Sequence, residues 1–189
     1  MAGDYGLHHS AVAVTLLETP EGESVLFEVR SEKIAHQPGD ICCPGGMVEE
    51  GETPEEAVIR EMTEELLVKR EQITVLQAMD ILPAGSMAVH PYVCRLRDYD
   101  GGFSREEAAE VFCVPLAFFL ETEPEMHEVT WNVQFGEDFP FGKIRGGRDY
   151  PWRERKDRIF FYEYQGRVIW GLTAKLMKAY AERVKRQAE

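Results

Sequence analysis

Gly46-Met47-Val48-Glu49-Glu50-Gly51-Glu52-Thr53-Pro54-Glu55-Glu56-Ala57-Val58-Ile59-Arg60-Glu61-Met62-Thr63-Glu64-Glu65-Leu66-Leu67-Val68 is the stretch on which the reading of this chain turns. Thr53, Pro54 and Glu56 stand at the N-cap, N1 and N3 positions of a helix start. The hydroxyl of Thr53 can accept from the N3 amide, Pro54 sits where no N–H is needed, and Glu56 closes a capping box. The spacing predicts a helix from Pro54 to about Leu67. At 3.6 residues per turn Val58, Ile59, Met62 and Leu66 share one apolar face, and Glu61, Glu64 and Glu65 share an adjoining one. The apolar face must anchor the helix, so the carboxylate face is predicted to look into water or a cleft.

Residues 49–65 carry eight glutamates and a single basic residue, Arg60. Like charges one helical turn apart repel by a few tenths of a kcal/mol each, roughly. A solvated acidic surface would account for a generic run of this kind. Here the glutamates are gathered on one side of the helix, and a Pro44-Gly45-Gly46 loop leads into it. Hard divalent cations take several oxygen ligands, and a helix face of carboxylates with a loop carbonyl supplies them.

The chain has 189 residues, with 44% hydrophobic and 29% charged, values of an ordinary globular protein. One domain over residues 1–189 is expected. Its formal net charge of −13 argues against broad nucleic-acid binding and against docking to an anionic membrane. It leaves room for an anionic substrate, because a bound divalent cation reverses the local field. No segment approaches the roughly 18 apolar residues of a membrane span. The opening MAGDYGLHH has no basic-then-apolar signal pattern, and the four cysteines show no CxxC spacing. Together these predict a protein of the reducing cytoplasm without a disulfide framework.

Strands are expected at Ser10–Leu17 and Ser24–Val29, joined by a turn at Pro20-Glu21-Gly22. Others are expected at Ile73–Ile81, Val89–Leu96, Val129–Phe135 and Arg158–Trp170, the last a hairpin turning at Gln165-Gly166. Arg30–Gly46 reads as an ordered loop. Leu172–Gln187 reads as a helix, with basic residues toward its C-terminal end.

Gly46, five residues, Glu52, seven residues, Arg60-Glu61-Met62, one residue, then Glu64-Glu65 is the spacing of the Nudix box. The chain resembles the Nudix hydrolases in all six of these fixed polar and glycine positions. Leu67 stands where that family has glycine, which predicts a strained or extended helix end. Leu26-Phe27-Glu28-Val29-Arg30-Ser31, Gly39 and Cys43-Pro44-Gly45-Gly46 resemble the extra motif of the coenzyme A diphosphatases, with Ala35 where that group has a basic residue. Glu107, Val114-Pro115-Leu116, Phe119-Leu120 and Ile169-Trp170-Gly171-Leu172-Thr173-Ala174 extend the likeness to the C-terminal helix.

The resemblance implies an α/β Nudix fold: a mixed sheet flanked by helices as an α/β/α sandwich, with the box as loop-helix-loop. It implies hydrolysis of a diphosphate linkage with Mg²⁺ or Mn²⁺, which neutralises the diphosphate and lowers the pKa of an attacking water. The implied metal ligands are Glu61, Glu64 and Glu65, helped by the Gly46 carbonyl, with one of these carboxylates or Glu107 as general base. Arg60 would orient a ligand carboxylate or pair with Glu52, while an i, i+4 pair with Glu64 is the ordinary alternative. Glu107 also fits N3 of a capping box begun by Ser104. The implied substrate is coenzyme A or an acyl derivative, cut to 3′,5′-ADP and a phosphopantetheine species. ADP-ribose or a dinucleotide is the first alternative, and a Nudix-fold module that binds a nucleotide without cutting it is the second. The expected partner is thus a small nucleoside-diphosphate derivative, with no nucleic acid and no membrane. The sequence sets no oligomeric state, and a homodimer is compatible with it.

Arg30 and the Gly45 loop are candidate substrate contacts. Lys143, Arg145, Arg148, Arg153, Arg155, Lys156 and Arg158 are opposed only by Asp149, Glu154 and Asp157, a local net of +4. One reading is an arm that holds extra phosphates, with Arg145 and Arg148 as contacts. The other is an ordinary charged loop. Tyr150 and Trp152 either stack on a base or pin this segment to the body. Cys43 lacks a base and is no nucleophile candidate.

Overall fold

Strict alternation builds the centre of the sheet. The computed structural model describes residues 7–188, the last by its backbone alone, so the MAGDYG read for a signal lies outside the described residues. β1 (His8–Thr19) and β2 (Gly22–Arg30) form a hairpin. Along β1, Ala11 and Ala13 face one side, and Val14 and Leu16 face the other. β3 (Ile41–Cys42) and β4 (Gly45–Met47) pair with β2 and β1. The stretch expected as loop from Arg30 to Gly46 therefore contains two strands. Two or three residues show no periodicity of their own, and these exist because the hairpin offers them open edges.

α1 (Pro54–Glu65) is followed by β5 (Ile73–Ala78), β6 (Leu82–Ala84) and β7 (Met87–Leu96), and β7 runs parallel to β1. β8 (Ala108–Pro115) lies antiparallel to β2 and continues into α2 (Leu116–Glu121). These strands make one mixed sheet of eight strands, with β3, β2, β1, β7 and β5 in order. A smaller antiparallel sheet holds β9 (Glu125–Trp131), β10 (Arg155–Tyr164) and β11 (Arg167–Trp170). The strand expected at Val129–Phe135 is shifted: it begins at Glu125 and stops at Trp131. Pairing with β10 sets its register, including an ion pair of Lys156 with Glu128 at 3.1 Å. The hairpin turn falls at Gln165-Gly166, both with positive φ (50° and 77°).

α1 covers one face through Ala57, Val58, Met62 and Leu66, packed on Ala11, Ala13 and Leu26. The small alanines of β1 let the helix sit close to the sheet. α3 (Gly171–Ala188) covers the other face with α2, packing Ala174, Leu176, Met177 and Tyr180 against Val14, Val25 and Phe27. The result is the expected α/β/α sandwich. Among the described residues no helix is long and apolar enough to cross a membrane.

The capping box forms as read: the Glu56 amide donates to Thr53 Oγ1 at 3.2 Å, and the Thr53 amide to Glu56 Oε2 at 2.8 Å. At the other end the helix stops on time despite its missing glycine. Leu66 is the C-cap, and Leu67 takes the left-handed conformation with φ 53° while 64% exposed. A non-glycine residue there is strained by about 1–2 kcal/mol, part of which glycine returns as unfolded-chain entropy. Leu67→Gly is expected to stabilise the protein by about 0.5–1 kcal/mol, read as a rise of about 1–4 °C in Tm. A drop in Tm would mean that the leucine side chain makes up for its backbone.

Candidate active site

The carboxylates of α1 do not form one open face. Glu65 is buried at 7% exposure, Glu61 is half-buried, and Glu64 has a 60% exposed side chain. The expectation that all three look outward is therefore corrected: one helical turn runs from solvent at Glu64 to the interior at Glu65. Glu65 Oε2 accepts from the Gly45 amide at 2.8 Å. Gly45 itself lies so close to β1 that a Cβ would stand 2.2 Å from the Ala11 carbonyl oxygen. At Gly46 a Cβ would stand 2.2 Å from Glu61 Oε1. Only a Pro-Gly-Gly loop lets α1 press its carboxylates against the backbone of β4.

Arg60 fixes this loop. Its guanidinium donates to Glu52 Oε1 and Oε2, both at 3.0 Å, to Glu61 Oε1 at 2.8 Å, and to the Met47 carbonyl at 2.9 Å. Its contact with Glu64 is longer, at 3.4 Å. The two roles read from sequence thus coexist, with the Glu52 pairing the better formed. The same hydrogen bonds hold the Glu52 carboxyl below its ordinary range.

Glu107 reaches the site by another route. No helix follows Ser104, so the capping-box reading is overturned: residues 105–107 form a turn, and β8 begins at Ala108. The Ser104 amide instead caps the end of α1, donating to the Glu65 carbonyl at 2.7 Å. The Glu107 carbonyl then accepts from the Ser31 amide at 2.9 Å, at the end of β2. A residue from outside the box is so tied to both α1 and β2.

A further carboxylate stands outside the acidic pattern of the box. Glu28 on β2 is 2% exposed, and its Oε1 has no hydrogen-bond partner. Burial, then repulsion from Glu107 and Glu61, outweighs the neighbouring Arg30 and pushes its carboxyl up to about 7. Burial, with repulsion from Glu28, Glu61 and Glu107, pushes Glu65 up to about 9. Glu61 is raised as well, by burial above all.

Four mutually repelling carboxyls with an all-oxygen donor set suit a hard divalent cation, whose charge would reverse these shifts. Among the described residues no three acidic, His or Cys side chains stand grouped as a closed ligand set. Glu61 is turned to Arg60 and Glu65 to the Gly45 amide. The unpartnered Oε1 of Glu28 and the cradle at Gly46 nevertheless fit such an ion.

Arg30, half-buried beside Glu28, donates to the His36 carbonyl at 3.1 Å. Arg145 and Arg148 are not brought to α1. Their segment leaves β9 and returns at β10, and Arg148 lies 4.5 Å over the ring of its own neighbour Phe141. Phe135, Phe139, Phe141 and Trp152 form a cluster there, and Tyr150 packs on Trp152 at 4.8 Å. The aromatic side chains therefore hold the segment to itself. Cys43 is buried and its thiol is pushed well up by desolvation, in keeping with no role as nucleophile.

The NUDIX domain family model matches residues 7–132. The chain belongs to the Nudix family. It is 31% identical over 132 residues to the peroxisomal coenzyme A diphosphatase NUDT7 of Mus musculus, covering 68% of this chain and 55% of that one. It is 35% identical over 114 residues to the peroxisomal coenzyme A diphosphatase ndx-8 of Caenorhabditis elegans, covering 58% and 47%. This Nudix chain thus spans about half the length of these two curated relatives. In fold it is similar to a MutT/nudix family protein from Enterococcus faecalis, with TM-score 0.53 and 18% identity over 98% of this chain and 65% of that one. Nudix hydrolases as a family act on diphosphate bonds of nucleoside-diphosphate derivatives and generally need divalent metal ions.

Proposed function

We propose that residues 1–189 act as one domain that hydrolyses the diphosphate bond of coenzyme A or an acyl derivative, giving 3′,5′-ADP and a 4′-phosphopantetheine species. The observation that carries the hydrolase reading is the gathering of four mutually repelling carboxyls, Glu28, Glu61, Glu65 and Glu107, with Glu61 and Glu65 set against the Gly45-Gly46 loop. The similarity to two coenzyme A diphosphatases supports the substrate class.

In this reading Glu61, Glu64, Glu65 and the Gly46 backbone hold Mg²⁺ or Mn²⁺. The cation supplies charge neutralisation of the diphosphate and a lowered pKa for the attacking water. Arg60 keeps Glu61 and the loop in register, and Glu107, on the solvent side of the cluster, takes the proton from the attacking water. Arg30 and the Gly45 loop face the phosphates. Release of phosphate-containing products from coenzyme A, dephospho-coenzyme A, ADP-ribose and diadenosine substrates, with Mg²⁺ and with Mn²⁺, tests the assignment. Turnover of coenzyme A should exceed that of the others.

Coenzyme A differs from its dephospho form by a dianionic 3′-phosphate, which needs charge-assisted donors. Ala35 offers none, so we assign this group to Arg145 and Arg148 of the cationic 143–158 segment, which in this structure packs on itself away from α1. Coenzyme A is expected to show the higher kcat/KM of the two, and Arg145→Ala/Arg148→Ala to erase the difference, chiefly through KM. Equal efficiency on both substrates in the unmodified enzyme would remove the segment from the site and favour ADP-ribose or a dinucleotide.

A further inference from the structure

Glu28 is a buried acid that the box does not explain. It interrupts an apolar strand, with Val25, Leu26, Phe27 and Val29 around it, and it is 2% exposed. Its Oε1 has no hydrogen-bond partner. The nearby cation of the same strand, Arg30, directs its Nε to the His36 carbonyl. A buried carboxylate without a partner is destabilising, and an apolar side chain of equal volume would serve packing better. A packing role therefore gives no reason for a glutamate at this position.

Its direction follows from the strand. Leu26, two residues earlier, packs in the layer of Val58, Met62 and Leu66 of α1, while Val25 and Phe27 pack on the opposite face. Glu28 shares the face of Leu26 and so points toward α1. In register it lies across from Cys42 of β3, just before Pro44-Gly45, and across from Val111 of β8. Gly45 is the residue whose amide holds Glu65, and the β8 neighbour strand begins one residue after Glu107. The side chain thus enters the carboxylate cluster from the sheet, on the side facing the helix.

We propose that Glu28 is an additional ligand of the divalent cation, binding it together with Glu65. The proposal rests on the cation-binding reading of Glu61, Glu64 and Glu65. Residues at i, i+3 and i+4 of one helix approach an ion from one side only. An octahedral or larger oxygen shell needs donors from other directions, and Glu28 supplies one that is already desolvated.

Mn²⁺ binding without substrate tests this, measured by the free-ion EPR signal and by the Mn²⁺-induced rise in Tm, on wild type, Glu28→Gln, Glu28→Met and Glu65→Gln. Glu28→Gln and Glu28→Met are each expected to weaken the tightest Mn²⁺ site at least tenfold and to shrink the rise in Tm, as is Glu65→Gln. Glu28→Met preserves volume and removes the buried charge, so its metal-free form should melt at or above wild type and gives a folded reading if the glutamine variant does not. Wild-type Mn²⁺ affinity in the Glu28 variants, with loss in Glu65→Gln, would overturn the role of Glu28 and leave the cation-binding reading standing. Unchanged binding in all three variants would overturn both.

Discussion

Glu65→Gln is expected to lower turnover at least a hundredfold while raising the Tm of the metal-free protein. Glu65 is buried, and its carboxyl is raised by desolvation and by Glu28, Glu61 and Glu107. Without a cation the fold must hold a proton on this carboxyl at neutral pH or bury its charge, and either is a cost to stability. With a cation it is a ligand, and loss of Lewis-acid stabilisation by about 3 kcal/mol corresponds to about two orders of magnitude in rate. Gln keeps the shape and keeps an oxygen for the Gly45 amide. The effect on stability has a definite sign with pH. A carboxyl raised from 4.5 to about 9 in the folded state binds its proton more tightly there than in the unfolded chain. Its contribution to stability is full below pH 4.5 and is lost as pH rises through the folded value. The metal-free wild type should lose Tm across this window, and Glu65→Gln should lose less of it. Saturating Mg²⁺ should reverse the loss in wild type. A folded Glu65→Gln protein with near-normal rate would remove Glu65 from the metal ligands.

The helix that carries the site was legible because its signals are local. The Thr53-Pro54-Glu56 start and the spacing of Val58, Met62 and Leu66 need no partner to be read, and α1 starts where they place it. What sequence spacing did not carry was depth. Glu64 and Glu65 are adjacent in the chain, yet one faces solvent and the other the interior, because the sheet and the Gly45 loop lie on one side only. Glu28 escaped notice for the opposite reason. Its signal was present, since a period of two places it on the inward face with Leu26, but a charge in a strand reads first as exposure. Ser104 and Glu107 show a local motif losing to a longer one: Ser-x-x-Glu fits a helix start, but Ala108-Ala109-Glu110-Val111-Phe112-Cys113-Val114 is a strand that β2 recruits. The strands β3, β4 and β6 are too short to be read alone and exist through their partners.

Glu107→Gln is expected to lower kcat about a hundredfold and to leave Tm within about 1 °C of wild type, since a general base contributes roughly 10²–10⁴ to rate. The structure separates the two quantities. The hydrogen bonds that tie this residue to Ser104 and Ser31 run through its amide and carbonyl, which the substitution keeps. Its side chain caps no helix, and residue 107 is exposed. Removing its charge also relieves repulsion on Glu28, Glu61 and Glu65, so any change in stability should be upward. Glu61 and Glu65 are held by Arg60 and by the Gly45 amide, whereas the Glu107 carboxylate stands at the edge of the cluster on a turn. A group that must accept a proton and return it to solvent belongs at such an edge. Steady-state rates and thermal melts on the same preparation settle the point. An unchanged kcat would make Glu107 a surface residue whose backbone alone serves the site, and the proton would then pass to a carboxylate of α1.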